Sequence, residues 1–218
     1  MTSMTNPTLH YIFDPLCGWC YAAAPLIAAA GQLPGVTIAL HGGGMMTGER
    51  RKHITPDWRG YVLPHDRRIE QMTGQVFGPG YTEGLLNDTT ALLDSAPPTT
   101  AILAAEQVAG QGLAMLQRLQ KAHYVEGRRI ADPPVLQALA AELGLPEAAF
   151  AQAYASLTGA PTEAHFAESR RLLVMAGGQG FPTLALQVAP GQPLQRIELG
   201  QWLGQPAAFA AALTETLS

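Results

Sequence analysis

The chain of 218 residues holds two cysteines, and they stand three positions apart in Cys17-Gly18-Trp19-Cys20. Two sulfurs at that spacing can exchange with a disulfide, hold half of a metal site, or sit inert in a core. Exchange requires a thiolate, and an unperturbed thiol with a pKa of about 8.5 is mostly protonated at neutral pH. A sulfur at the first turn of a helix meets unpaired backbone N–H groups and the positive end of the helix dipole, which stabilise the anion. In such a frame Cys17 is the outer, attacking thiol. Cys20, on the same helix face, is the resolving one, and Gly18 and Trp19 shape the surface a partner meets. Zinc would need two more ligands, and His10, His41, His53, His65, His123 and His165 include no HxxxH or HxxxC pairing.

The flanking residues supply the frame this chemistry needs. Leu9 to Phe13 is a short apolar and aromatic run of strand type, stopped by Asp14-Pro15. From Gly18 to about Ala30, the residues Trp19, Ala22, Ala23, Leu26, Ile27 and Ala30 recur at helical spacing, with Gly31 as the stop. Val36 to Leu40 reads as a second strand, so the cysteines lie at the first strand-to-helix junction of a βαβ unit. From about Thr55 to Ala176 the periodicity is helical and predicts five or so helices. One of these is capped at Asp132, carries Pro133 and Pro134 in its first turn and ends at Gly144; another runs from Pro161 to Met175. Thr183–Val188 and Leu194–Leu199 then read as an antiparallel hairpin around Ala189–Pro193, and Pro206–Leu217 as a closing amphipathic helix. The order βαβ, helical block, ββα predicts an α/β protein with a thioredoxin fold and a large all-helical insertion. Residues 1–48 and 177–218 form the thioredoxin-like domain, and 49–176 the insertion.

Gly180-Phe181-Pro182-Thr183 is the second constellation. A proline opening a buried strand is either an ordinary trans residue or, beside a CxxC pair, a cis one that leaves the backbone of Phe181 free to pair with an extended substrate segment. Asp14-Pro15-Leu16-Cys17-Gly18-Trp19-Cys20-Tyr21 after a strand, His41-Gly42-Gly43-Gly44-Met45 after the second, the run from Asp94 to Glu106, and Gly-Phe-Pro-Thr before a hairpin together resemble the DsbA-like proteins, and within them the cytoplasmic FrnE-like branch. The resemblance spans nearly the whole chain. It implies dithiol-disulfide exchange with protein or small-molecule disulfides, Cys17 as nucleophile, Cys20 as resolving residue and Pro182 as the cis-proline, with Gly18, Trp19, Phe181 and Thr183 at the substrate. It implies no cofactor beyond the redox-active Cys17–Cys20 disulfide, glutathione as a possible co-substrate, and the glutathione or thioredoxin pool as reductant. Two departures stand out. The dipeptide is Gly-Trp where the periplasmic oxidant has a histidine-containing pair, so that enzyme's extreme thiol acidity is not carried over. Phe181 is also bulkier than the β-branched residue often found before the cis-proline. Oxidation, reduction and isomerisation all stay open, as do two other readings: a glutathione-dependent kappa-type transferase or isomerase, and a polypeptide-binding holdase with the cysteines as redox sensor.

Other function classes are disfavoured. A formal charge of -4 offers nucleic acid and anionic membranes little. Met1–Pro7 has no basic segment, and no signal-type apolar region or small-residue cleavage site follows before the strand run begins at Leu9, which predicts a soluble cytoplasmic protein. The triglycine at Gly42–Gly44 is similar to the oxyanion loop of esterases, but no G-x-S-x-G elbow accompanies it; the glycines read as a tight turn or a close approach to the site. Arg50-Arg51-Lys52 and Arg67-Arg68 read as solvated surface, and Met45, Met46, Trp58 and Trp202 as core or pocket lining. A Met and aromatic rim near Cys17 would suit a polypeptide substrate.

Overall fold

The computed structural model describes residues 6–217. Met1 to Thr5, on which the reading of the N-terminal segment partly rests, lie outside the described residues, as does Ser218. Strand β1 (Thr8–Phe13) is the second of four in a sheet of order β2-β1-β5-β6. Its parallel partner β2 (Thr37–Gly42) runs two residues beyond the expected end, because Ile12 and Phe13 go on pairing with His41 and Gly42. Helix α1 (Gly18–Ala30) makes the crossover between them. Across the chain's middle come the two-residue strands β3 (Lys52–His53) and β4 (Leu92–Leu93), which pair with each other. Around them stand six helices, α2 (Pro56–Thr73), α3 (Ala96–Ala109), α4 (Gly112–Tyr124), α5 (Pro133–Glu142), α6 (Glu147–Leu157) and α7 (Ala160–Met175). Strand β5 (Thr183–Gln187) then pairs antiparallel with β1 and with β6 (Gln195–Ile197), and α8 (Pro206–Leu217) closes the chain. This is the thioredoxin arrangement with helices inserted between β2 and β5.

Alternation along β1 fixes both layers. Leu9, Tyr11 and Phe13 are buried in one cluster with Leu184 and Leu186 of β5, Leu26 and Ile27 of α1, and Phe209 and Leu213 of α8. Ile12 faces the other way, with Ala185 and the C-terminal end of α7 at Leu172, Leu173 and Ala176. Helix α7 therefore lies within the 49–176 block and also covers the second face of the sheet, against β1 and β2.

Two local details bear on how the helices are held, and the first differs from expectation. Asp132 occupies the N-cap of α5, but its side chain makes no capping bond; its carbonyl accepts from Val135 and Leu136 instead. Helix α1 runs through Pro25, which has no N–H for the carbonyl of Tyr21, and Gln75 Nε2 donates to that oxygen at 2.8 Å. Among the described residues no helix is long and apolar enough to cross a membrane.

Candidate active site

Cys17 is the N-cap of α1 with extended backbone angles, and its carbonyl accepts the first helical bonds from Cys20 and Tyr21. Proline at 15 and the turn closed by Cys17 N–H to the carbonyl of Asp14 end β1 and aim the next residues into the helix. Both cysteines are free thiols. Cys20 is fully covered, at 0% exposure, and Cys17 reaches solvent over only 7% of its surface, so the expected outward-facing thiol is the more open of two largely covered ones. Burial, followed by its contact with Cys17, pushes the Cys20 thiol well above its ordinary pKa.

The Phe181–Pro182 peptide is cis, and the Phe181 carbonyl lies 3.6 Å from Cys17 Sγ, on the line of a thiol hydrogen bond. Thr183 Oγ1 donates to the carbonyl of Gly180 at 2.8 Å, which ties the turn before the proline to the strand after it. Trp19 separates two clefts. One, of about 380 Å³, is lined by Phe181, Pro182, Thr183, Arg196 and Leu199. The other, of about 290 Å³, is lined by Cys17, Gly18, Met45, Met46, Trp58, Tyr61 and His65. Every residue singled out in the sequence as a site candidate thus lies along one of the two clefts or, for Cys20, is fully buried against Cys17. Trp202 is elsewhere, against Phe209.

Several groups in this region had no sequence signal. Asp14, which reads only as the end of a strand, is fully buried and accepts from Leu16 N–H, Met45 N–H and Ser95 Oγ at 2.9, 2.6 and 3.0 Å. Its own N–H points at Cys20 Sγ, 3.5 Å away. The carboxylate thereby fastens the cysteine loop to the glycine loop and to the start of α3. Burial raises its pKa against the opposing pull of those donors. Asp66 of α2 stands beside Gly18, accepts from Tyr81 Oη at 3.1 Å, and is held up to about 7, chiefly by burial. The basic runs are not merely solvated: Arg50 donates to the Gly44 carbonyl, Lys52 sits 4.4 Å over Trp58 and Arg68 5.9 Å over Trp19. These roles are assigned by contacts in space, some near in sequence, as Arg50 with Gly44, and some distant, as Ser95 with Asp14. Among the described residues no group of three or more His, Cys, Asp or Glu side chains could hold a metal ion.

Residues 8–198 match the family model described as the DSBA-like thioredoxin domain. Among curated proteins none matches the chain. Among solved structures, the chain is similar to the cytosolic disulfide reductase DsbM from Pseudomonas aeruginosa, at 56% identity and a TM-score of 0.90, with 96% of this chain and 98% of that one covered. A structure of the same reductase with GSH aligns at 54% identity and a TM-score of 0.88, over 96% and 98% of the two chains. A putative protein disulfide isomerase from Nitrosomonas europaea aligns at 25% identity and a TM-score of 0.77, over 97% of each chain. With the sheet order, the dithiol at the head of α1 and the loop of Pro182 in place, the chain belongs to the DsbA-like thioredoxin-fold family of disulfide oxidoreductases.

Proposed function

We propose that the chain is a cytosolic disulfide reductase in which Cys17 attacks, Cys20 resolves, and glutathione returns the electrons. The observation that carries this is the position of Cys17 Sγ: at the N-terminus of α1, facing the Phe181 carbonyl, and in contact with the covered Cys20. The Cys17 thiolate attacks one sulfur of a substrate disulfide, that S–S bond breaks, and the first substrate sulfur leaves as a thiol after taking a proton from solvent. Cys20 then attacks Cys17, its proton passing to the second departing sulfur. The products are two substrate thiols and a Cys17–Cys20 disulfide, which two glutathione thiols reduce while becoming glutathione disulfide.

During the mixed-disulfide stage the substrate backbone pairs with Phe181 next to Pro182, and Trp19, Gly18 and Thr183 line its path on either side of the sulfur. The relatives favour reduction and the glutathione source, since a protein 56% identical bears the name cytosolic disulfide reductase and has been solved with GSH. The similarity to a putative isomerase supports a second reading, in which a further substrate thiol, rather than Cys20, displaces Cys17.

The test is reduction of insulin and of a scrambled protein substrate with glutathione as electron source. Cys17→Ser is expected to lose at least about 100-fold in rate, and Cys20→Ser to accumulate a mixed disulfide on Cys17. Wild-type turnover by Cys17→Ser overturns the assignment. A Cys20→Ser variant that still unscrambles substrate moves it to the isomerase.

A further inference from the structure

The triglycine that begins with the last residue of β2 has no part in thiol exchange as such, and backbone conformation explains only one of its members: Gly44 has φ 64°, while Gly42 and Gly43 lie outside the left-handed region. Each of the three instead gives up its side-chain space to a different element. A Cβ at Gly42 would stand 2.6 Å from Thr99 Cγ2 of α3, and one at Gly44 2.9 Å from the ring of Phe166 on α7. A Cβ at Gly43 would lie 2.0 and 2.2 Å from Cζ and Cε1 of Phe181, the tightest of these contacts. Phe181 is also the residue whose carbonyl faces Cys17.

The loop cannot retreat to make room. Gly43 N–H donates to the Phe13 carbonyl at 2.8 Å, and Gly42 N–H to His165 Nε2 at 2.9 Å. Arg170 of α7 donates to the carbonyls of Gly43 and Gly44 at 2.9 and 2.8 Å, and Asp14 holds Met45 N–H. The ring is the movable partner, because its colliding atoms are at the far end of a side chain that already borders the 380 Å³ cleft. Any side chain at position 43 drives that ring into the cleft, where it meets substrate, with little effect on the fold.

We infer that Gly43 is a positioning residue whose empty side-chain space parks the Phe181 ring against the sheet, keeping the cleft beside Cys17 open and the Phe181 carbonyl over the thiol. The Gly43 and Phe181 side chains are a matched pair, and the bulk before the cis-proline is tolerated because of the glycine opposite. This rests on Cys17 being the attacking thiol.

The experiment is steady-state reduction of a peptide disulfide by full-length Gly43→Ala, Phe181→Ala and the double variant, with thermal unfolding of each. Gly43→Ala is expected to raise KM roughly 10-fold with kcat changed less than about 2-fold. Adding Phe181→Ala should return KM to that of Phe181→Ala alone. Phe181→Trp, which leaves the glycine loop intact and has a ring too large for the space, is expected to raise KM in the same way and decides the matter if Gly43→Ala does not fold. A wild-type KM in Gly43→Ala or in Phe181→Trp, or a KM rise that removal of the ring does not relieve, overturns the pairing. Turnover by Cys17→Ser is the separate result that would defeat the underlying assignment.

Discussion

At Asp66 a carboxyl is held up to about 7 by burial although Tyr81 Oη donates to it. Its ordinary value is near 3.8, so between about pH 4 and 7 the native chain keeps a proton that the unfolded chain has lost. Native stability therefore falls as pH rises through that window, and above pH 7 the full cost persists, of order 2–4 kcal/mol. Asp66→Asn keeps an acceptor for Tyr81 and removes the charge. It is expected to raise Tm at pH 8 and to leave it unchanged at pH 4; an equal gain at both pH values counts against a buried, charge-disfavoured carboxyl. Asp14 is the contrasting case. It too is raised by burial, but three donors converge on its two oxygens, and an amide there would turn an NH2 group toward a donor.

Helix α1 shows what an element needs from distant residues. Pro25 leaves the Tyr21 carbonyl without its helical donor, and Gln75, just past the end of α2, supplies one. Gln75→Ala should cost about 1 kcal/mol and lower Tm by a few degrees; a variant as stable as the parent would mean that water serves the carbonyl equally well. The helix itself was legible from the spacing of Trp19, Ala22, Ala23, Leu26, Ile27 and Ala30, as were β1, β5 and α8, because periodicity is local. Strands β3 and β4 were not, since two residues have no period to read. The cysteines, Pro182 and the flanking Phe181 were legible because their types announce their chemistry. Asp14, Asp66 and Arg170 were not: each acts through partners 15 or more positions away, such as Ser95 on Asp14 and Gly43 on Arg170. The glycine run stood out in sequence, but its meaning lay in three side chains from three other places.

For the molecule as a whole, acid tolerance is set by opposing buried groups. Burial lowers His41 to about 4, with help from His10 and His165, and lowers His123 to about 3 inside the aromatic cluster of Tyr81 and Tyr124. These rings stay neutral in the native state while the unfolded chain takes up protons below about pH 6.5, so their contribution is intact above that value and is lost as pH falls toward 4 and 3. Asp14 and Asp66 act in the reverse sense. His123→Phe keeps a ring in the cluster and removes one titrating group. The fall in Tm from pH 7 to 4.5 should be smaller in that variant than in the parent, and falls of equal size would show that His123 is not held neutral. The ion pairs of Arg118 and Arg128 with Glu126 and Glu142 lie toward the surface and add little to this balance.

The unequal covering of the two sulfurs also gives the chain a stoichiometric signature. Because Cys20 is sealed and Cys17 retains a narrow opening, a bulky alkylating reagent should add one label to each reduced native molecule. The same molecule takes two after unfolding and none once the pair is oxidised. Counting labels by mass thus reports redox state and, for the reduced molecule, the intactness of the fold.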